Sequence, residues 1–263
     1  LVDVNVDTGC LDWLPSYPAN PPDGIVAVCA LSTIPNLDDL EAKAKKINAK
    51  LVIDGAATFG TPGIYNRGDG FCLSFHATKT FPIGECGALI SDKRTIELAK
   101  QYINFGFDKE RIPKMTGMNA KISEYTAAIG LALLEKMPDV INARINNFNV
   151  YHEELKDLIP KSYTPNTVYQ ALPLSFKFDF ERARRVRAKL KEAGVEFLQY
   201  YRPLDYFKNT EMLYMCNVCL PIHRVCHQAS GGARAYMVAR RPCRSPDTDQ
   251  HDPRRRAAQD GWL

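Results

Sequence analysis

Four short apolar runs, at 24–31, 51–54, 71–75 and 86–91, have the length of strands, and a helical pattern separates the first two. In that interval Leu37, Leu40, Ala44 and Ile47 recur at helical spacing, with Asn36 placed as an N-cap and Asp38, Asp39 and Glu41 in the electropositive first turn. Further helical spacing over Arg94–Asn104 and Ile122–Met137 follows the fourth run. Strand alternating with helix is the rhythm of a mostly parallel sheet covered by helices, so the fold class is α/β. Leu1–Asp7 alternates apolar and polar residues as another strand would. After Pro138 the pattern changes. A long helix over Asp139–Leu158, a strand over Val168–Phe178, a helix over Phe180–Ala193 and strands at Val195–Tyr201 and Asn217–Ile222 describe a second, α+β unit. The expected organisation is a large unit over 1–140, a small one over 141–223 and a tail over 224–263.

Composition narrows the function classes. With 263 residues, 45% of them hydrophobic, the chain can bury a sizeable core, which excludes a disordered or collagen-like protein. Its longest apolar run, Ile25–Leu31, is far too short to cross a bilayer. Eight Cys without framework spacing suit free thiols and a cytoplasmic location. Cys216, Cys219, His223, Cys226 and His227 have zinc-ligand chemistry, but in crowded spacing; buried thiols are the expected reading, and no metal site. The net charge of +4 arises wholly after His223, in a tail that uses eight Arg and no Lys. Without interleaved aromatics the cluster Arg254–Arg256 reads as a solvated or frameshifted extension rather than a nucleic-acid arm.

The chemistry concentrates in 51–87, where polar residues follow the C-terminal ends of apolar runs, the place at which open α/β sheets bind ligands. Asp54 ends one strand and Ser74 and His76 the next; Lys79 follows in a loop with Thr78, Thr80, Gly84 and Gly87. A lysine there can form a Schiff base with an aldehyde once its neutral form is accessible. A strand-end carboxylate can hold a pyridinium nitrogen protonated. Those jobs, with donors for a phosphate, are what a protein supplies to pyridoxal phosphate.

Asp54 with Ala56 and Phe59-Gly60, SFHATK at 74–79, GECG at 84–87, GMNAKIS at 117–123 and NVCLPIH at 217–223 resemble, in order and spacing, the sugar aminotransferase family named after DegT and StrS. The resemblance implies a fold-type I pyridoxal-phosphate enzyme. Carried over residue by residue, it implies that Lys79 binds the cofactor aldehyde, Asp54 pairs with the ring nitrogen, and Ser74 contacts the phosphate. Asn119 would reach the phosphate of a neighbouring subunit's cofactor, which implies a homodimer with shared active sites. The implied reaction moves an amino group from a donor, glutamate, to a nucleotide-linked keto sugar, with Lys79 as base and acid. Two positions depart from the pattern: Ala57 stands where the family usually has Gln, and Cys86 replaces a Gly. A phosphate-cradling turn and a ring-stacking aromatic are expected upstream of the position matching Leu1. The large domain over 1–140 is therefore expected to be partial, with weak cofactor binding; the alternative expectation is a non-catalytic or regulatory relative, or an inactive fragment, that keeps the fold without turnover. Lys79 argues against the subgroup that carries histidine there and dehydrates its substrate.

Overall fold

A computed structural model of the chain describes residues 4–5, 8–11, 21–176, 179–197 and 217–222. Its first sheet has the order β1 (Gly24–Val28), β2 (Lys50–Asp54), β3 (Gly70–Ser74) and β4 (Gly87–Ser91). The first three strands run parallel, whereas β4 pairs antiparallel with β3, Cys72 opposite Leu89. The expectation of a mostly parallel sheet holds with that edge reversed. Between β1 and β2 lies α1 (Leu37–Lys46), whose N-cap Asn36 accepts from the Asp39 amide at 3.1 Å. Leu37, Leu40 and Ala44 bury one face of α1 against Ile25, Ala27, Leu51, Ile53 and Phe71.

The pleat makes the opposite sheet face a separate surface. Val26 and Val28 on β1 are 63% and 46% exposed, and Leu89 on β4 is 37% exposed, although all three are apolar. The α1 side is therefore the core, and the other side is open among the described residues.

Helices α2 (Lys93–Tyr102) and α3 (Glu124–Leu134) lie close to their expected limits. Helix α4 (Met137–Leu155) begins two residues before the expected Asp139 and includes Pro138 in its first turn, where no N–H partner is lost. The second sheet pairs β5 (Ala171–Ser175) antiparallel with β6 (Asn217–Pro221), and α5 (Phe180–Glu192), capped by Asp179, packs beside them. Phe148 from α4 joins Leu172, Leu174, Ala183, Val218 and Leu220 in that core. Gly194 follows α5 at φ +66, the expected left-handed cap. Val195–Phe197 form no strand, contrary to expectation: Val195 N–H instead donates back to the Leu190 carbonyl at 2.8 Å. Residues 198–201, the tail 224–263, most of the first strand pattern, and Cys216, His223, Cys226 and His227 lie outside the described residues.

Three thiols are sealed in these cores. Burial pushes Cys29 up to about 12 from its ordinary 9.0, with Cys10 and Asp54 adding repulsion. It pushes Cys219 up to about 12, and raises Cys10 as well. A folded-state pKa above the unfolded one gives stability that is fully present below about pH 9 and lost as pH rises toward 12, because only the unfolded chain ionises in that window. The urea midpoint is accordingly expected to fall through this alkaline range, and native Cys29 and Cys219 to resist thiol reagents at neutral pH. A midpoint that stays flat would contradict the burial of these groups.

Candidate active site

Asp54 is the last residue of β2 and pairs across to Cys72 of β3. Side chains paired this way share a face, and Ser74, two residues beyond Cys72, shares it too. Both polar groups therefore stand on the open face, at the C-terminal ends of parallel strands. One carboxylate oxygen of Asp54, Oδ1, accepts the Ala56 amide at 3.0 Å. Its Oδ2 has no hydrogen-bond partner among the described residues. Ser74 Oγ accepts from the His76 amide at 3.3 Å and keeps its proton to give.

Beyond Ser74 the chain makes a loop closed by Phe75 N–H to the Cys86 carbonyl at 2.8 Å and Ile83 N–H to the Phe75 carbonyl at 3.0 Å. Aromatic contacts anchor both of its arms. Phe81 stacks on Phe59 with ring centres 4.9 Å apart, and Phe75 meets the two rings edge-on at 5.1 and 5.7 Å. Lys79, half-buried, lies between these anchors, and its amide donates to the His76 carbonyl at 2.9 Å. No ion pair or hydrogen bond engages its Nζ among the described residues. His76 is tied into the same turn: Nδ1 accepts the Thr78 amide at 3.2 Å, so a neutral ring carries its proton on Nε2, 3.2 Å from Glu85 Oε1. Asn119 is exposed on a segment that bridges to Asn104.

A turn that the sequence analysis passed over braces this region. In Ala30–Ser32, just past β1, Leu31 and Ser32 have φ of +50 and +70. Left-handed backbone at non-Gly residues costs about 1–2 kcal/mol each, so surrounding contacts must impose it. Ser32 is wholly buried; its Oγ donates to the Ala57 carbonyl at 2.6 Å and accepts the Gln170 amide at 3.1 Å. The Tyr163 hydroxyl donates to the Leu31 carbonyl at 3.2 Å. Partners this far apart in sequence leave no local signature.

The family model of the DegT/DnrJ/EryC1/StrS aminotransferases matches residues 1–224. This chain belongs to that family. A dTDP-4-amino-4,6-dideoxy-D-glucose transaminase of Shigella dysenteriae is 30% identical over 221 residues, which are 74% of this chain and 59% of that protein. The DegT-family chain thus spans less than two thirds of the length of this relative. DesI, solved in the presence of its TDP-sugar product, is 27% identical with a TM-score of 0.69, over 84% of this chain and 63% of its own. NtdA of Bacillus subtilis, solved with bound PMP, has the same fold at 23% identity and a TM-score of 0.70, over 84% of this chain and 57% of its own. The fold is therefore that of fold-type I aminotransferases, and pyridoxal phosphate is the family's cofactor.

The donor set fits that cofactor. A carboxylate oxygen and an amine that have no partner among the described residues, with a hydroxyl that has a proton to give, are matched in kind to a ring nitrogen, an aldehyde and a phosphate. At Ala57, where the resemblance led to an expectation of Gln, the main-chain carbonyl accepts from Ser32 Oγ.

Proposed function

We propose that the protein to which this chain belongs transfers an amino group from a donor, glutamate, to a nucleotide-linked keto sugar, using pyridoxal phosphate held by Asp54, Ser74 and Lys79. The observation that carries this reading is the half-buried Lys79, its Nζ outside any ion pair, on a loop anchored by aromatics directly beyond the strand ends that bear Asp54 and Ser74. When bound, the cofactor supplies an electron sink for the carbanion chemistry of the donor's α-carbon. The protein's share is placement and proton transfer. Asp54 Oδ2 would hold the ring nitrogen and, as an anion, keep its proton in place. Ser74 Oγ donates to a phosphate oxygen. Lys79 Nζ, once neutral, would take the proton from the donor's α-carbon and hold it for return within the site.

A homodimer is part of the proposal. Met118, Ile122, Tyr125 and Ile129 form an exposed apolar strip, Tyr125 being 86% exposed, along the segment that carries Asn119 and into α3. Contact between two such strips would place each Asn119 at its partner, where it can serve the other subunit's phosphate. The division into units over 1–140 and 141–223 belongs to the same reading, as does a cytoplasmic location. No helix among the described residues is long and apolar enough to cross a membrane.

The deciding experiment is to incubate the chain with pyridoxal phosphate, reduce with borohydride and locate the adduct by peptide mass spectrometry. A stoichiometric mark on Lys79 is expected. Labelling scattered over surface lysines would overturn the reading and leave the fold without turnover.

A further inference from the structure

Gln170 lies just before β5, far from Lys79 in sequence, yet its side chain reaches the lysine's own turn: Nε2 donates to the Thr78 carbonyl at 3.2 Å. Only the amide nitrogen can face that acceptor, so the orientation of the side chain is fixed and Oε1 is buried, without a partner among the described residues. The main-chain amide of the same residue donates to Ser32 Oγ, whose own proton goes to the Ala57 carbonyl. One residue thus holds two loops. Its backbone grips the loop after Asp54 through Ser32, and its side chain grips the peptide group that joins Thr78 to Lys79.

We propose that Gln170 is a positioning residue for Lys79, fixing the lysine's turn relative to the strand end that bears Asp54. The proposal rests on the reading of Lys79 as the cofactor-bearing amine. The Thr78–Lys79 peptide has few other restraints. Ala77 and Thr78 are exposed, and among the described residues the turn's other bonds run from His76 to Thr78 and Lys79 or, through His76 Nε2, to Glu85 of the same loop. Among the described residues Gln170 links this peptide to the segment that carries β5. An unpartnered buried acceptor is also costly to keep, which marks the amide as held for what its other end does.

Two substitutions separate positioning from packing. Gln170→Met keeps the shape of the side chain and removes the donor. Gln170→Glu keeps the shape and, when ionised, turns a second acceptor toward the Thr78 carbonyl. Below roughly pH 4–5 the protonated carboxyl becomes a donor again. Hydrogen exchange over 76–80 is the first readout, because it needs no cofactor. Gln170→Met is expected to speed exchange there about fivefold, the effect of one ordinary hydrogen bond, with β1 and β2 unchanged. Gln170→Glu should match it at neutral pH and return toward the parent rate, measured at the same pH, on acidification. The second readout is the pH titration of the absorbance of lysine-bound cofactor, whose midpoint should shift in Gln170→Met.

Unchanged exchange over 76–80 in Gln170→Met, or a Gln170→Glu protein that equals the parent at neutral pH, would overturn the proposal. Acceleration across the whole second unit would also overturn it, by showing a packing role. If exchange responds as expected but borohydride fails to mark Lys79 in the parent, the functional reading falls instead and the link from Gln170 to the turn stands.

Discussion

Lys79→Ala is expected to abolish the reducible cofactor adduct and to slow amine transfer from glutamate by about 10²–10⁴-fold, the range that a positioned acid–base group contributes. The half-reaction is read directly from the absorbance change of the bound cofactor, without the sugar substrate. Cofactor retention should weaken as well, because the lysine's bond to the aldehyde is lost and the remaining contacts of the proposed site are non-covalent. Lys79→Arg is the sharper control. It keeps the charge and much of the length, but a guanidinium stays protonated at any working pH and can neither attack an aldehyde nor accept a proton from carbon. Both variants should fold as the parent does, since Lys79 Nζ has no partner among the described residues to lose. A Lys79→Ala protein that retained a tenth of the parental rate would remove this lysine from the chemistry.

The second large effect concerns what lies beneath the site. Phe71→Ala is expected to cost about 3–5 kcal/mol of unfolding free energy, read as a drop in the urea midpoint at constant slope. Phe71 is wholly buried, meets Tyr65 edge-on with ring centres 5.5 Å apart, and lies opposite Ile53 in the sheet. Its ring also fills the space where Gly55 lacks a side chain; a Cβ at Gly55 would overlap Phe71 Cε1 and Cζ. Gly55→Ala alone should therefore cost about 1–3 kcal/mol by overpacking. In the Phe71→Ala background the part of that cost due to the ring should vanish, leaving the close approach to Thr58 Oγ1, and giving a coupling of about 0.5–3 kcal/mol between the two positions. Additive effects would mean that the ring and the glycine do not share this space. Because Gly55 follows Asp54 directly, the same contact sets where the strand ends and hence where its carboxylate stands.

Local chemistry made much of this fold legible. Asn36 as a cap, the apolar face of α1, and Asp54 and Ser74 at strand ends all follow from spacing that a short window contains. Their roles toward a cofactor came from the family resemblance instead. The reversed edge β4 carried a readable signal that the alternation rule obscured. A parallel return usually carries a helix, and the twelve residues 75–86, at the lower limit for such a crossover, hold a Pro and a Gly and no helical pattern. The start of α4 differs from the expected one because a proline both breaks a helix interior and suits a first turn, and the sequence alone does not say which. Ser32 lay beyond reach. Its left-handed backbone has no Gly or Asn to announce it, and its partners Ala57 and Gln170 come from distant parts of the chain.

The two grips at residue 170 differ in what they demand of a sequence. Ser32 is met by a main-chain N–H, which any residue but proline provides, so that joint tolerates substitution at 170. Thr78 is met by a side-chain amide of one particular length. A chimera that borrows its second half from a relative would keep the first joint with almost any donor chain. It would keep the second only if the donor brings glutamine to this position, so two outwardly well-folded hybrids can differ in where their lysine points.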